Sequence, residues 1–125
     1  MIMLGEELAS QLKAGTVIAL SGDLGVGKTT LVQGLALGLQ IQSPVQSPTF
    51  TYLHRYEGTC PLFHFDLYRM KGVEDFLGMG FDEYFEMKGI CAIEWPERID
   101  AILPVNALRL VLSHHEQGRS IQGLP

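Results

Sequence analysis

In residues 6–14, Leu8 and Leu12 fall one helical turn apart and Glu6 and Glu7 suit a first turn. The spacing predicts a short amphipathic helix, broken by Gly15. Thr16-Val17-Ile18-Ala19-Leu20-Ser21 is β-branched and apolar at successive positions, so it offers no polar face, as a strand buried on both sides requires. From Lys28 to Leu39, Leu31, Leu35 and Leu39 recur at every fourth position, predicting a second helix. Gly34 and Gly38 weaken that helix slightly and allow it to pack closely on a sheet. Residues 40–48 carry Pro44 and Pro48 and are expected to form a loop. Phe50 to Tyr56 and Leu62 to Leu67 read as two strands, and the turn at Glu57-Gly58-Thr59 is short enough for an antiparallel hairpin. One or two short helices are expected over Glu74 to Met87, interrupted at Gly78 and Gly80. Ile90-Cys91-Ala92-Ile93-Glu94-Trp95 reads as another buried strand, ended by Pro96, and the tail offers Leu108 to Leu112 and a weaker Ser120 to Leu124. The sum is an α/β fold over residues 1–125, one domain with a mixed β-sheet flanked by helices.

Composition narrows the class without changing that picture. Hydrophobic residues make up 46% of the 125 and charged residues 18%, enough apolar surface for a core. The apolar run Val17 to Leu20 is far too short to cross a bilayer, so no membrane role is expected. The start, Met1 to Glu7, lacks the basic and apolar segments of a signal peptide, and a cytoplasmic location is the expectation. Cys60 and Cys91 form neither a metal-ligand spacing nor a CxxC pair, and read as reduced thiols. A formal charge of -5 argues against a broad nucleic-acid-binding face; any involvement of RNA is expected to run through a partner.

The chemistry lies between the first strand and the second helix. Gly22-Asp23-Leu24-Gly25-Val26-Gly27-Lys28-Thr29 matches the phosphate-binding P-loop at every fixed position. Phosphate oxygens need several backbone N–H groups converging on them, and Gly22, Gly25 and Gly27 let the backbone approach closely and take positive φ. The helix that begins near Lys28 adds its positive dipole end. Lys28 supplies a mobile cation for the β- and γ-phosphates, and the Thr29 hydroxyl can reach a bridging Mg²⁺. ATP and Mg²⁺ are the expected ligands, since no Asn/Thr-Lys-x-Asp element for guanine occurs.

A P-loop needs an acid at the end of a neighbouring strand to hold Mg²⁺ directly or through water. Asp66 follows Leu62-Phe63-His64-Phe65 and Glu94 follows Ile90-Cys91-Ala92-Ile93, so both are candidates. Either is otherwise a solvated strand end. Trp95 reads most simply as a packing residue, and as a natural fluorescence reporter beside bound nucleotide. Ser47-Pro48-Thr49-Phe50 is a proline turn flanked by hydroxyls, at a place where many P-loop proteins keep a γ-phosphate-sensing switch. His64, His114 and His115 show no metal-ligand spacing and read as structural. Asp75 to Glu86, acidic and aromatic, is either an ordinary amphipathic surface or a partner-docking face.

Four landmarks occur in order: the P-loop through Thr30, Ser47-Pro48-Thr49-Phe50, His64-Phe65-Asp66-Leu67-Tyr68-Arg69 and Ile93-Glu94-Trp95-Pro96-Glu97. Together they resemble the TsaE (formerly YjeE) family, over roughly Glu6 to Arg119. The resemblance implies a P-loop ATPase, weak alone, that works with the TsaB–TsaD complex, in which TsaD transfers threonylcarbamoyl to the tRNA adenosine next to the anticodon. It implies that Gly25, Val26, Gly27, Lys28, Thr29 and Thr30 hold the phosphates and that Thr29 and Glu94 coordinate Mg²⁺. Asp66 matches the family's Walker B acid, Thr49 its switch threonine, and Gly118-Arg119 a late element near the nucleotide; Trp95 counts with the nucleotide-binding positions. The family usually carries a longer lead-in before the first helix, often with a residue beside the adenine; here the chain begins almost at that helix. Two other readings stand beside the ATPase. A nucleotide-gated adaptor would use ATP binding to reshape the Ser47–Phe50 loop without needing hydrolysis. A small-molecule kinase would need an arginine-rich lid, whereas Arg55, Arg69, Arg98, Arg109 and Arg119 are scattered.

Overall fold

The computed structural model describes residues 2–22, 27–48, 50–115 and 118–123. Six strands form one sheet: β1 (Val17–Ser21), β2 (Leu53–Tyr56), β3 (Leu62–Asp66), β4 (Ile90–Glu94), β5 (Leu108–His115) and β6 (Gly118–Gln122), in the spatial order β2-β3-β4-β1-β5-β6. The inner four, β3, β4, β1 and β5, run parallel, while β2 and β6 pair antiparallel at the edges. The mixed sheet is therefore parallel where it carries the P-loop and antiparallel where hairpins close it. Helices α1 (Ile2–Ala9) and α2 (Lys28–Gly38) cover one face. The short α3 (Val73–Gly78) and the 3₁₀ helices Phe81–Glu86 and Pro96–Ile102 cover the other.

Side-chain alternation along each strand assigns the two cores. Ile18, Leu20, Leu62, Ile90 and Ala92 join Leu31, Val32 and Leu35 of α2 on one face. Val17, Ala19, Phe63, Phe65, Cys91 and Ile93 join Phe76, Phe81 and Ile99 on the other. Each face buries its own apolar set, which is why β1 and β4 read as continuous apolar runs.

Some local expectations change. The first helix starts at Ile2 rather than Glu6 and stops at Ala9, so Glu6 and Glu7 lie within it and not in a first turn. Its buried stripe is Gly5, Leu8 and Ala9, with Leu12 packed beyond its end. Gly34 and Gly38 do serve close approach, but to α1 rather than to the sheet. A Cβ on Gly34 would collide with the Ile2 carbonyl oxygen and come within 2.9 Å of the Gly5 Cα, and one on Gly38 would come within 2.6 Å of the Ala9 Cβ. Helices without side chains at their crossing can bring their backbones together, which lets α1 lie flat along α2. The hairpin at Glu57-Gly58-Thr59 forms, with Leu53 opposite Phe65 and Tyr56 opposite Leu62, but its first strand begins at Leu53 rather than Phe50, because the chain turns through Tyr52 at φ 65°. The two tail strands also form a hairpin, and β5 runs three residues beyond Leu112.

Candidate functional site

The parallel strands β3, β4 and β1 all point their C-terminal ends to one edge, where open α/β sheets take their ligands. β1 runs into the P-loop, and α2 leaves it. Gly22 at φ 142° and Gly27 at φ 103° stand in backbone conformations that side chains resist. Gly25 and Val26 lie outside the described residues. Among the described residues no side chain caps α2, whose N-cap is Gly27, and its first turn holds no acidic residue. A helix start with a positive dipole end and a glycine N-cap suits a phosphate.

Lys28 opens α2 and is buried; its Nζ donates to the Gly22 carbonyl oxygen at 2.6 Å. The same ammonium lies 3.8 Å from the centre of the Trp95 ring. Trp95 is thus more than a packing residue, because its ring forms a wall of the lysine's pocket. Its backbone is left-handed, at φ 59° and ψ 51°, so the chain turns sharply after Glu94 and presents the ring at the sheet edge. Tyr68 lies against the other end of the site, 4.9 Å from Trp95 between ring centres.

The two candidate acids occupy adjacent register positions on neighbouring strands, Asp66 opposite Glu94. They differ in what they hold. Glu94 is buried and accepts from the Thr29 hydroxyl, at 3.1 Å on Oε2 and 3.4 Å on Oε1. Asp66 lies one strand further from the P-loop; its Oδ2 accepts from the Ser47 hydroxyl at 3.0 Å and its Oδ1 from the Tyr68 backbone N–H at 3.0 Å. Glu94 therefore belongs to the α2 start, and Asp66 fastens the loop that carries Ser47-Pro48. That loop turns through Tyr52, at φ 65°, whose N–H donates to the Pro48 carbonyl and whose carbonyl accepts from Asp66 N–H. Phe50 stands exposed on it under the Arg69 guanidinium, 4.8 Å from the ring centre. Thr49 lies outside the described residues.

Thr30 continues the first turn of α2. Gly118 and Arg119 sit on β6, their backbone paired with His115 and His114. Ser21 at the end of β1 pairs with Val111, so this hairpin extends past the P-loop edge and brings Arg119 to the same side of the sheet. His64 is more than structural: its Nε2 meets Glu94 Oε2 at 2.6 Å in a fully buried position. Alternation places Leu62, His64 and Asp66 on one face, but the pairing of His64 with Glu94 comes only from the neighbouring strand.

The donors near the α2 start, a threonine hydroxyl and a carboxylate, are hard oxygens of the kind Mg²⁺ takes. Among the described residues no group of three or more His, Cys, Asp or Glu is placed to hold a metal. No helix among the described residues is long and apolar enough to cross a membrane.

Comparison with known proteins bears on this arrangement as a whole. A family model described as threonylcarbamoyl adenosine biosynthesis protein TsaE matches residues 1–121. The chain is 46% identical over 120 residues to the tRNA threonylcarbamoyladenosine biosynthesis protein TsaE of Nostoc sp., covering 92% of this chain and 73% of that one. It is 46% identical over 100 residues to the protein of the same name from Treponema pallidum, covering 80% of this chain and 74% of that one. The crystal structure of Bacillus subtilis YdiB superposes with a TM-score of 0.82 at 38% identity, covering 96% of this chain and 74% of that one.

Proposed function

Because the chain belongs to the TsaE family, we propose that it binds ATP-Mg²⁺ on the P-loop and hydrolyses it slowly, in support of threonylcarbamoyl transfer to the tRNA adenosine next to the anticodon, together with TsaB and TsaD. The observation that carries the ATP-Mg²⁺ reading is the Thr29–Glu94 contact at the start of α2, beside the buried Lys28. Bound Mg²⁺ would neutralise phosphate charge and help orient the β- and γ-phosphates. Lys28 exchanges the Gly22 carbonyl for phosphate oxygens, and the first-turn N–H groups of α2 receive the remainder. Thr29 and Glu94 supply the protein's oxygen donors. Asp66, through Ser47, ties the switch loop to the strand end that faces the nucleotide.

Slow turnover is the expectation, supported by the engagement of three of the arginines elsewhere. Arg69 lies on Phe50, Arg98 donates to the Tyr68 carbonyl oxygen, and Arg109 pairs with Asp100. Held there, these three lend no electrostatic stabilisation to a transferring phosphate. The reading is tested by reconstituting tRNA modification from TsaB, TsaD and a threonylcarbamoyl-adenylate donor, with and without this chain. Multiple turnover that depends on the chain, and is lost with Lys28→Ala, is the expected result; turnover indifferent to its presence would end the proposal. The Ser47–Asp66 bond also favours the adaptor reading, in which ATP binding reshapes the loop and docking is the output. A binding-competent, hydrolysis-dead variant that sustains full multi-turnover modification would select it.

A further inference from the structure

Among the described residues four polar or charged side chains are buried: Lys28, His64, Asp66 and Glu94. Three belong to the site as read above, and His64 has no part in it so far. It lies mid-strand in β3, opposite Ala92, with Leu62, Ile90 and Ala92 on the same face. A position in that layer that served packing alone would be apolar. Its Nε2 is 2.6 Å from Glu94 Oε2, while its Nδ1 is buried with no hydrogen-bond partner among the described residues. Leaving a buried nitrogen unpaired is unfavourable, so the imidazole is kept for the one contact it does make.

We propose that His64 is a positioning residue for Glu94: by donating Nε2–H to Oε2, the oxygen nearer Thr29, it fixes the carboxylate and leaves Oε1 clear of the imidazole for the Mg²⁺ of the nucleotide. The proposal rests on the ATP-Mg²⁺ reading of the site. A glutamate side chain has three rotatable bonds, and a buried one with a single flexible hydroxyl partner is poorly defined. Thr29 approaches both oxygens, at 3.1 and 3.4 Å, and so does not choose between them. The imidazole contacts Oε2 alone, and chooses. Its chemistry also fits. A carboxylate accepts, so the Nε2 facing it carries the hydrogen. A lysine or arginine in its place would compete with the metal for Glu94. Outer hydrogen bonds of this kind commonly set the affinity of a ligating carboxylate for its ion.

The test is a Mg²⁺ titration of ATP binding on the full chain, followed by Trp95 fluorescence. His64→Leu keeps the volume and removes the donor, and is expected to raise the half-saturating Mg²⁺ concentration about tenfold. His64→Gln places an amide N–H at the position of Nε2 and is expected to restore most of that loss. Should His64→Leu fail to fold, His64→Asn, whose amide stops short of Glu94, takes its place with the same expected shift. An unshifted titration in the donor-less variant, with Glu94→Gln shifted, would overturn the role of His64 while leaving that of Glu94 intact. Equal shifts in His64→Leu and His64→Gln would reduce the histidine to packing and also overturn it. If Glu94→Gln itself leaves the titration unmoved, the reading of Glu94 falls, and the positioning role falls with it.

Discussion

On the α3 side of the sheet, Phe65 sits among rings: Phe76 at 5.6 Å, Phe81 at 5.4 Å and Tyr84 at 5.8 Å between centres, with Phe63 4.8 Å from Tyr84. On the α2 side the packing is aliphatic apart from Tyr56, glycines bring α1 against α2, and His64, Asp66 and Glu94 are buried in the same layer. Aromatic side chains supply large buried area over a short helix and two 3₁₀ turns, elements too small to hold themselves. The α2 side needs the opposite property. A helix start must come down onto the strand ends closely enough for Thr29 to reach Glu94, and polar groups must be paired as they are buried. One face holds the sheet and the other holds the chemistry.

The largest effect that separates the two faces is expected from Phe76→Ala. It should cost about 3–5 kcal/mol of stability, read from urea unfolding, because a fully buried ring leaves a cavity. ATP affinity of the folded fraction should change by no more than about twofold, since residues without shared partners couple weakly. A proportional loss of affinity would break the division. Glu94→Gln is its mirror image: the Mg²⁺-dependent part of ATP affinity should fall about 10–100-fold in calorimetric titrations with and without EDTA. Its unfolding free energy should fall by only about 1 kcal/mol, because the amide oxygen still accepts from Thr29 or His64. Gly34→Ala tests the close approach of α1 and α2. The added methyl meets Ile2 and Gly5 backbone, an overpacking cost of about 1–3 kcal/mol set against a helix-propensity gain of about 1 kcal/mol. A rise in the unfolding midpoint would show the two helices free to part.

The smallest effect concerns the thiols. Burial pushes the Cys91 thiol up to about 12, and its Sγ donates to the Tyr84 carbonyl oxygen at 3.4 Å. Burial also raises Cys60, which is only partly covered. The thiolate is the reactive form, so at pH 8 an alkylating reagent should modify Cys60 first and Cys91 only on unfolding. A thiol held protonated in the fold stabilises it fully below the ordinary value of 9.0, and that contribution is lost as pH rises toward about 12. Early labelling of Cys91 in folded protein would show the aromatic face to be open.

Period and punctuation made much of this molecule legible before any coordinates. The two apolar runs at Val17–Ser21 and Ile90–Glu94 could only be strands covered on both faces, and they are adjacent in the sheet. The P-loop glycines announced positive φ, and Gly22 and Gly27 have it. Both acids ended their strands at the same edge because parallel strands share a direction. Where α1 begins was not legible, since its stripe of Gly5, Leu8 and Ala9 is apolar only in relation to Gly34 and Gly38 on another helix. Nor could the sequence divide labour between Asp66 and Glu94, two acids with the same local signature. That depended on strand order: β4 lies beside β1, so Glu94 meets Thr29, whereas β3 lies one strand farther out and Asp66 meets Ser47. The same order turned His64 from an odd polar residue in a strand into the partner of Glu94, 30 residues away. Local pattern determines which residues can stand at an edge, because it follows from backbone geometry alone. Which of them touch is decided by strand order and helix approach, and those come only from the packing of the whole chain.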